Sequence, residues 1–148
     1  METIKHQETS AQVLCLLPLL IQALRSNIEA HKTMRINHFF VLRTLMEQPM
    51  SLKTLADQQS LTAATMCSNI NTLEKRGWVT RSRNKDDKRT VVITLTDEGL
   101  QALMETNADA LQAMEKVIAH LSPEEKEHVG VGAEVLSNAL MAFNHGVY

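Results

Sequence analysis

The chain has 148 residues, a formal net charge of −2 at pH 7 and 44% hydrophobic residues. This length suffices for one domain with a buried core but would crowd two. The two cysteines, Cys15 and Cys67, lie in apolar or helical settings without a CxxC pairing, so the composition indicates neither a disulfide framework nor a zinc knuckle. A reducing compartment fits this pattern.

The positive charge is concentrated in one segment. Residues 75–89 contain seven basic and two acidic side chains, whereas residues 90–148 contain nine acidic and two basic ones. A basic surface beside an acidic remainder is typical of a protein that meets phosphate with one face. A solvated charged loop is the alternative interpretation of the same pattern.

A first helix is predicted for about residues 9–30. Thr9 and Gln12 match a T-x-x-Q capping box, and apolar residues recur at helical spacing after them, whereas residues 1–8 are expected to be frayed or extended. Pro18 lies inside this helix, where proline costs about 3 kcal/mol and usually causes a kink. The apolar surface is broader than a lone helix needs, which indicates burial against a partner subunit.

The longest apolar run, residues 13–21, is half the length of a membrane span and contains a proline. Only Lys5 and His6 precede it as sources of positive charge, and no small-x-small cleavage site follows, so the run is a poor signal peptide. We therefore expect a cytoplasmic protein that makes no membrane contact.

Three helical patterns follow between residues 34 and 77. The first covers residues 34–48 and ends before Pro49. Ser51 is positioned to cap a short second helix, and Thr62 to cap a third, whose buried edge repeats every three to four residues up to Gly77. Two short helices joined by a tight turn describe a helix-turn-helix.

The outward face of that third helix and its flanks carry small or polar side chains, which can approach base edges without steric obstruction. The candidate DNA-contacting residues of this helix are Thr62, Ala64, Thr65, Cys67, Ser68, Asn71, Thr72 and Lys75.

A hairpin comes next, with strands predicted at residues 78–83 and 89–95 and a turn at residues 84–88. A basic hairpin beside a helix-turn-helix is a wing. Its candidate DNA-contacting residues are Arg81, Arg83, Lys85, Lys88 and Arg89.

Two helices complete the chain. Thr96 caps a long helix with Asp97 and Glu98 in its first turn, and Ser122 opens a capping box with Glu125 for a last helix toward residue 143. In that last helix two glycines, at 130 and 132, predict either close backbone packing or a local break. The long helix has a heptad seam with one polar member, which fits either a dimer interface or packing within one chain. The seam residues are Leu100, Met104, Asn107, Leu111, Met114, Ile118 and Leu121.

Three short motifs then carry a resemblance to a known family. They are the LA pair at residues 55–56, the sequence LEKRGWV at residues 73–79, and DKR at residues 87–89 followed by LTDEG at residues 95–99. In this order and spacing the chain resembles the MarR family of winged helix-turn-helix transcriptional regulators. The resemblance implies a mostly α fold with a small β-hairpin wing, as one domain over residues 1–148. The winged helix-turn-helix would occupy residues 34–95, and a helical dimerisation region residues 9–31 and 97–146.

The same resemblance implies partners and roles. It implies a homodimeric repressor that binds a palindromic operator in double-stranded DNA, with Arg89 in the minor groove and Asp87 orienting the wing. It also implies an amphipathic effector, often an aromatic acid, near Arg35, His38 and Phe39, although His38 fits a structural role equally well. No cofactor is implied. Where many members carry Arg or Lys on the recognition helix this chain has smaller side chains, so bidentate guanine contacts from an arginine there are not expected.

Other chemistries have weaker support. The six histidines form no HxxxH or HExxH pair, so no metal site is expected. Hydroperoxide-sensing relatives keep a reactive thiol near the position of Cys15, but an apolar neighbourhood makes a thiol inert. A thiol-based redox regulator therefore stays an alternative, as does a winged-helix module that binds protein or RNA. The chain lacks a nucleophile elbow and a phosphate loop, so no enzyme is predicted.

Overall fold

The computed structural model describes residues 2–28, 34–83 and 90–144. The chain divides into two compact units, residues 1–111 and 112–148. The elements, in chain order, are α1 (Glu2–Ile28), α2 (Ile36–Glu47), β1 (Met50–Ser51), α3 (Leu52–Gln58), α4 (Ala63–Lys75), β2 (Val79–Arg83), β3 (Val91–Leu95), α5 (Asp97–Ala119) and α6 (Pro123–Asn144). The prediction of a mostly α fold with a small β-hairpin wing is confirmed.

The wing belongs to a three-stranded antiparallel sheet with strand order β1-β3-β2. In the hairpin, Val79 pairs with Leu95 and Arg81 with Ile93, while Met50 of β1 pairs with Ile93 from the other side. Only the hairpin was expected. β1 was missed because two residues are too few to show the alternation of a strand.

The core of the first unit lies under the helix-turn-helix. Ser51 caps α3 by accepting the Thr54 amide at 3.1 Å, and Thr62 caps α4 by accepting the Thr65 amide at 3.2 Å. Each cap fixes the residue at which its helix begins, and the helix then turns its apolar edge toward the core. The largest side chains that are fully buried in this core are Leu42, Leu55, Met66, Ile70, Leu73 and Ile93.

The beginning of α5 is tied to the base of the wing. The Thr96 hydroxyl donates to the Gly77 carbonyl at 2.6 Å and accepts the Gly99 amide at 3.0 Å, and the Thr96 amide donates to the Trp78 carbonyl at 3.1 Å. A Cβ built on Gly99 would fall on that same Trp78 carbonyl oxygen. Gly77 itself has φ of 74°, a conformation that favours glycine. This junction explains why the motif at residues 95–99 contains Thr and Gly.

α1 begins earlier than predicted. It starts at Glu2, so Thr9 lies inside the helix and the expected frayed segment is helical from residue 2. The helix also continues through Pro18. Most of the described large apolar side chains of α1 are substantially exposed, with Leu14 at 65% and Ile21 at 39%, whereas Leu24 packs against the core. The others that are exposed in this way are Leu16, Leu17, Leu19 and Leu20.

One helix among the described residues, over Gln7–Ser26, is long and apolar enough to cross a membrane by length and composition alone. This corrects the expectation from residues 13–21, because the continuous helix extends the apolar stretch on both sides. Such a helix near an N-terminus is weak support for a membrane span, since core helices and signal sequences have the same length and composition.

α5 buries a different edge from the predicted seam. Within the first unit, Leu103, Thr106 and Ala110 are buried, whereas Met104 and Leu111 are 64% and 58% exposed. Packing within this unit therefore does not cover the predicted seam at Met104 and Leu111. The seam and the buried edge are separate, because residues one position apart on a helix point about 100° apart.

α6 begins with the predicted capping box. Ser122 Oγ accepts the Glu125 amide at 3.2 Å and Glu125 Oε2 accepts the Ser122 amide at 2.7 Å. The hydrogen bonds from the Ser122 backbone and then its hydroxyl lower the pKa of Glu125. The expected alternative of a local break is wrong, because α6 is continuous through Gly130 and Gly132. Within this chain an added Cβ at either glycine would meet nothing within 4 Å.

Candidate nucleic-acid interface

The outward face of α4 forms the centre of the candidate interface. Since Met66, Ile70 and Leu73 are buried, the opposite side of the helix faces solvent. The predicted contact residues are distributed over this side and its flanks. Thr62, Ala64, Thr65, Ser68, Asn71 and Lys75 are exposed, and Cys67 and Thr72 are half-buried.

Some of the predicted polar groups already have local partners. The Thr62 and Thr65 hydroxyls bond to each other at 2.9 Å at the start of α4. The Thr72 hydroxyl donates to the Ser68 carbonyl at 3.1 Å, one turn back along the helix. These threonines therefore contribute mainly to helix capping and local bonding. Ala64, Ser68, Asn71 and Lys75 are left as the groups that face outward.

Arg81 of β2 reaches across to α4. Its guanidinium lies 2.6 Å from Glu74 Oε2 and donates to Asn71 Oδ1 at 2.6 Å. The sequence placed Arg81 among the candidate DNA-contacting residues of the wing, and it did not single out Glu74. The sequence does contain a signal for this contact, because Asn71 and Glu74 are three residues apart and share one helix face beside the first wing strand.

Arg83, two residues further along β2, is exposed, and its side chain has no hydrogen bond or ion pair with the described residues. Lys75 is likewise exposed at the end of α4. The predicted wing residues Lys85, Asp87, Lys88 and Arg89 lie outside the described residues, so their roles stay predictions.

Arg76 is a basic residue that the sequence did not single out as a contact. It caps the end of α4, and its guanidinium carbon lies 4.8 Å from the centre of the Trp78 ring, a cation–π distance. Arg76 therefore adds positive charge where α4 passes into the wing, on a side chain held by an aromatic ring.

The first unit has a cavity whose lining includes Met34 but none of the three residues predicted to contact an effector. This cavity of about 570 Å³ opens at the first half of α5, beside Met34 and Trp78. Its other lining residues are Glu98, Gln101, Ala102, Glu105, Thr106 and Asp109. Arg35, His38 and Phe39 do not line this cavity; His38 and Phe39 are buried and Arg35 is exposed. Their assignment to an effector pocket stays a prediction.

His38 is a buried histidine with an unusual environment. It is 4% exposed, and its Nδ1 has no hydrogen-bond partner among the described residues. Burial, followed by the positive charges of Arg76 and Arg35, lowers the pKa of His38 below its ordinary value near 6.5. His38 is therefore neutral in the folded protein at neutral pH.

This histidine gives a testable pH dependence. Because the folded-state pKa lies below the unfolded value, the unfolded chain takes up the proton first as pH falls. The contribution of neutral His38 to stability is complete above pH 6.5 and is lost as the pH falls from there toward the folded pKa. We expect His38→Gln to reduce the loss of stability below pH 6.5, measured by urea unfolding at several pH values. An unchanged pH slope in the variant would contradict this account.

The two cysteines have no arrangement that signals a sensor. Cys15 is exposed on α1 and Cys67 is half-buried on α4. Among the described residues, no group of three or more His, Cys, Asp or Glu side chains could hold a metal ion. The redox role of Cys15 stays a prediction.

The capped helix pair, the exposed face of α4 and the antiparallel wing define a winged helix-turn-helix protein. Residues 34–91 match the family model described as MarR family. The resemblance drawn from the motifs is thereby confirmed.

The relatives agree with this assignment. An uncharacterized HTH-type transcriptional regulator of Bacillus subtilis, YwhA, is 30% identical over 60% of this chain and 64% of its own length. A MarR family transcriptional regulator from Streptomyces coelicolor, solved in complex with DNA, is 25% identical with a TM-score of 0.67 over 93% of this chain and 88% of its own. A MarR family protein from Bacillus stearothermophilus shares the fold, with a TM-score of 0.78 at 20% identity over 95% and 99%.

The matches cover only part of the length of these curated relatives. The chain spans about three fifths of the length of the first curated relatives that it matches. The curated relatives are named as transcriptional regulators and not as enzymes, in line with the prediction from the sequence.

Proposed function

We propose that this chain is a sequence-specific, DNA-binding transcriptional regulator that acts as a homodimeric repressor. The observation that carries this proposal is the exposed face of α4, which presents Ser68, Asn71 and Lys75 beside the basic strand β2. The Streptomyces coelicolor relative, which was solved with DNA, supports it. In this arrangement α4 enters a major groove and reads base edges, while the wing follows the DNA backbone and Arg89 enters the adjacent minor groove.

The apolar surfaces support the homodimer. Large apolar side chains of α1 are exposed, and in the second unit so are those of α6, including Val135 at 63% and Phe143 at 71%. A helix face with many exposed large apolar side chains is typical of an interaction surface. We propose that residues 9–31 and 97–146 form the dimerisation region and residues 34–95 the DNA-binding region. A two-fold dimer then requires a palindromic operator.

The same surface bears on localisation. α1 is long enough to cross a membrane, but it contains Pro18 and carries the polar side chains of Gln12, Gln22 and Arg25. Burial against a second subunit accommodates these polar groups, because they can lie at the edge of an interface in contact with water. We therefore propose a cytoplasmic protein.

A small amphipathic effector remains part of the proposal. The cavity beside Met34 and Trp78 adjoins both the start of α5 and the base of the wing, so a ligand there would contact the elements that position α4. A ligand regulates DNA binding only if it binds one spacing of the two recognition helices better than the other.

The test is a titration of operator and random duplexes at several salt concentrations, with the operator located by footprinting upstream of the protein's own gene. We expect Lys75→Ala to weaken binding to all sequences about equally and to lower the salt slope by about one unit, because this residue is placed to contact phosphate. Arg89→Ala should weaken binding by about 1–3 kcal/mol, with the greatest loss at A·T-rich flanks.

Two outcomes would count against the proposal. Equal, purely salt-dependent losses in both variants would leave the wing as a nonspecific electrostatic surface. Tighter binding to duplex RNA than to duplex DNA would favour the alternative of an RNA-binding winged helix.

A further inference from the structure

The guanidinium of Arg81 holds two side chains of α4 at once. One nitrogen, Nη1, lies 2.6 Å from Glu74 Oε2, and the other, Nη2, donates to Asn71 Oδ1 at 2.6 Å. The first bond joins two charged groups and the second has a charged donor. Bonds of this kind are short and strong, and the planar shape of the guanidinium fixes the directions of both.

This contact determines the orientation of the Asn71 amide. A guanidinium can only donate hydrogen bonds, so the amide atom that faces it must be the acceptor oxygen. A flipped amide would place N–H groups against N–H groups. Nδ2 therefore points away from Arg81, and it lies 3.9 Å from Cys67 Sγ, which is a weak acceptor. Since Asn71 is exposed, the group that it presents to a ligand is a hydrogen-bond donor.

The orientation has a consequence for base recognition. An unrestrained asparagine reads adenine by accepting a hydrogen bond from N6 and donating one to N7. Here the oxygen already accepts from Arg81, whose positive charge opposes the approach of a second donor such as adenine N6. The major-groove edge of guanine has two acceptors, N7 and O6, and no donor. Asn71 in this orientation therefore matches guanine better than adenine.

The ion pair also changes the role expected of Arg81. Its charge is balanced by the Glu74 carboxylate, and the two side chains are 29% and 39% exposed. A balanced pair attracts phosphate less than a free cation and releases fewer counterions when DNA binds. Arg83 is exposed on the same strand and is the residue suited to phosphate.

We propose that Arg81 is a positioning residue that makes Asn71 a hydrogen-bond donor to a guanine in the major groove, and so sets the base preference at one position of each half-site. This inference rests on the proposed function, because it requires α4 to lie in the major groove of duplex DNA.

The experiment selects binding sites from a pool of duplexes randomised over two half-sites, using the full-length protein and four forms: wild type, Arg81→Met, Asn71→Asp and Arg83→Met. The salt dependence of binding to each selected duplex is measured as well. Thermal unfolding of each form shows whether it is folded. Arg83→Met is the matched control, since it removes the same charge from the same strand without touching Asn71.

Wild type should select guanine at one position. In Arg81→Met the Asn71 amide is released and can offer both its oxygen and its nitrogen, so the preference should move toward adenine by on the order of tenfold. The salt slope should hardly change. Asn71→Asp keeps an acceptor for Arg81 but replaces the donor by a second acceptor, so guanine should be lost at that position in favour of cytosine. Arg83→Met should keep the guanine and lower the salt slope by about one unit.

The outcomes separate this inference from the proposed function. If wild type selects no sequence, the proposed function fails and the inference fails with it. If wild type selects a sequence but Arg81→Met keeps the same base and loses about one unit of salt slope, Arg81 is a phosphate ligand and the inference alone is overturned. Should Arg81→Met be unfolded, Asn71→Asp still decides, because an unchanged guanine preference in that variant contradicts a donor role for Asn71.

Discussion

Replacing Gly99 by alanine is expected to destabilise the winged-helix unit by about 1–3 kcal/mol, the cost of forcing an extra group into a packed site. The added Cβ would fall on the Trp78 carbonyl oxygen and lie 2.9 Å from Leu95 Cδ1. The carbonyl cannot easily move, because it accepts the Thr96 amide at 3.1 Å in the junction that starts α5. The measurement is urea unfolding followed by circular dichroism.

Gly132→Ala is the matched control for this substitution. Gly132 lies within α6, and an added Cβ there meets nothing within 4 Å. The same change of side chain should therefore stabilise the helix by about 0.5–1 kcal/mol, since alanine loses less conformational entropy than glycine on folding. If Gly99→Ala unfolds at the same urea concentration as wild type, the close approach at the Trp78 carbonyl does not constrain the fold.

Replacing Leu17 by aspartate is expected to abolish the dimer and to weaken operator binding by about 10²- to 10⁴-fold. This is the range by which the affinity of two linked binding sites exceeds the affinity of one site. Leu17 is 47% exposed and lines an apolar groove on α1 with Leu14, Pro18 and Ile21. A carboxylate buried in a dimer interface has no partner and costs several kcal/mol. The monomer would then bind each half-site separately.

Gln12→Asp is the control, because it adds the same charge to an exposed polar position of the same helix. Sedimentation at tens of micromolar gives the oligomeric state, and fluorescence anisotropy compares a two-half-site duplex with a single half-site. A Leu17→Asp protein that stays dimeric would remove α1 from the interface. A wild-type protein that is monomeric at these concentrations would remove the palindromic-operator model as well.

The sequence alone determined four of the helix caps and the two strands of the wing. Ser51, Thr62, Thr96 and Ser122 all cap helices where the pattern placed them, because a cap needs only a hydroxyl side chain and amides two or three residues further along the chain. The buried edge of α4 and the two wing strands followed from periodicities that also depend on neighbouring residues alone. The family resemblance followed from motifs of the same local kind.

Tertiary structure decided what depends on contacts between distant residues. The two-residue strand β1 exists because Met50 pairs with Ile93, more than forty positions away, and its own length carries no signal. The inward edge of α5 proved to be Leu103, Thr106 and Ala110, since the first unit covers that edge and leaves Met104 exposed. Arg81 was likewise predicted from its charge to contact DNA. Only the fold places it against Glu74 and Asn71, where the ion pair balances that charge and the amide is held in one orientation.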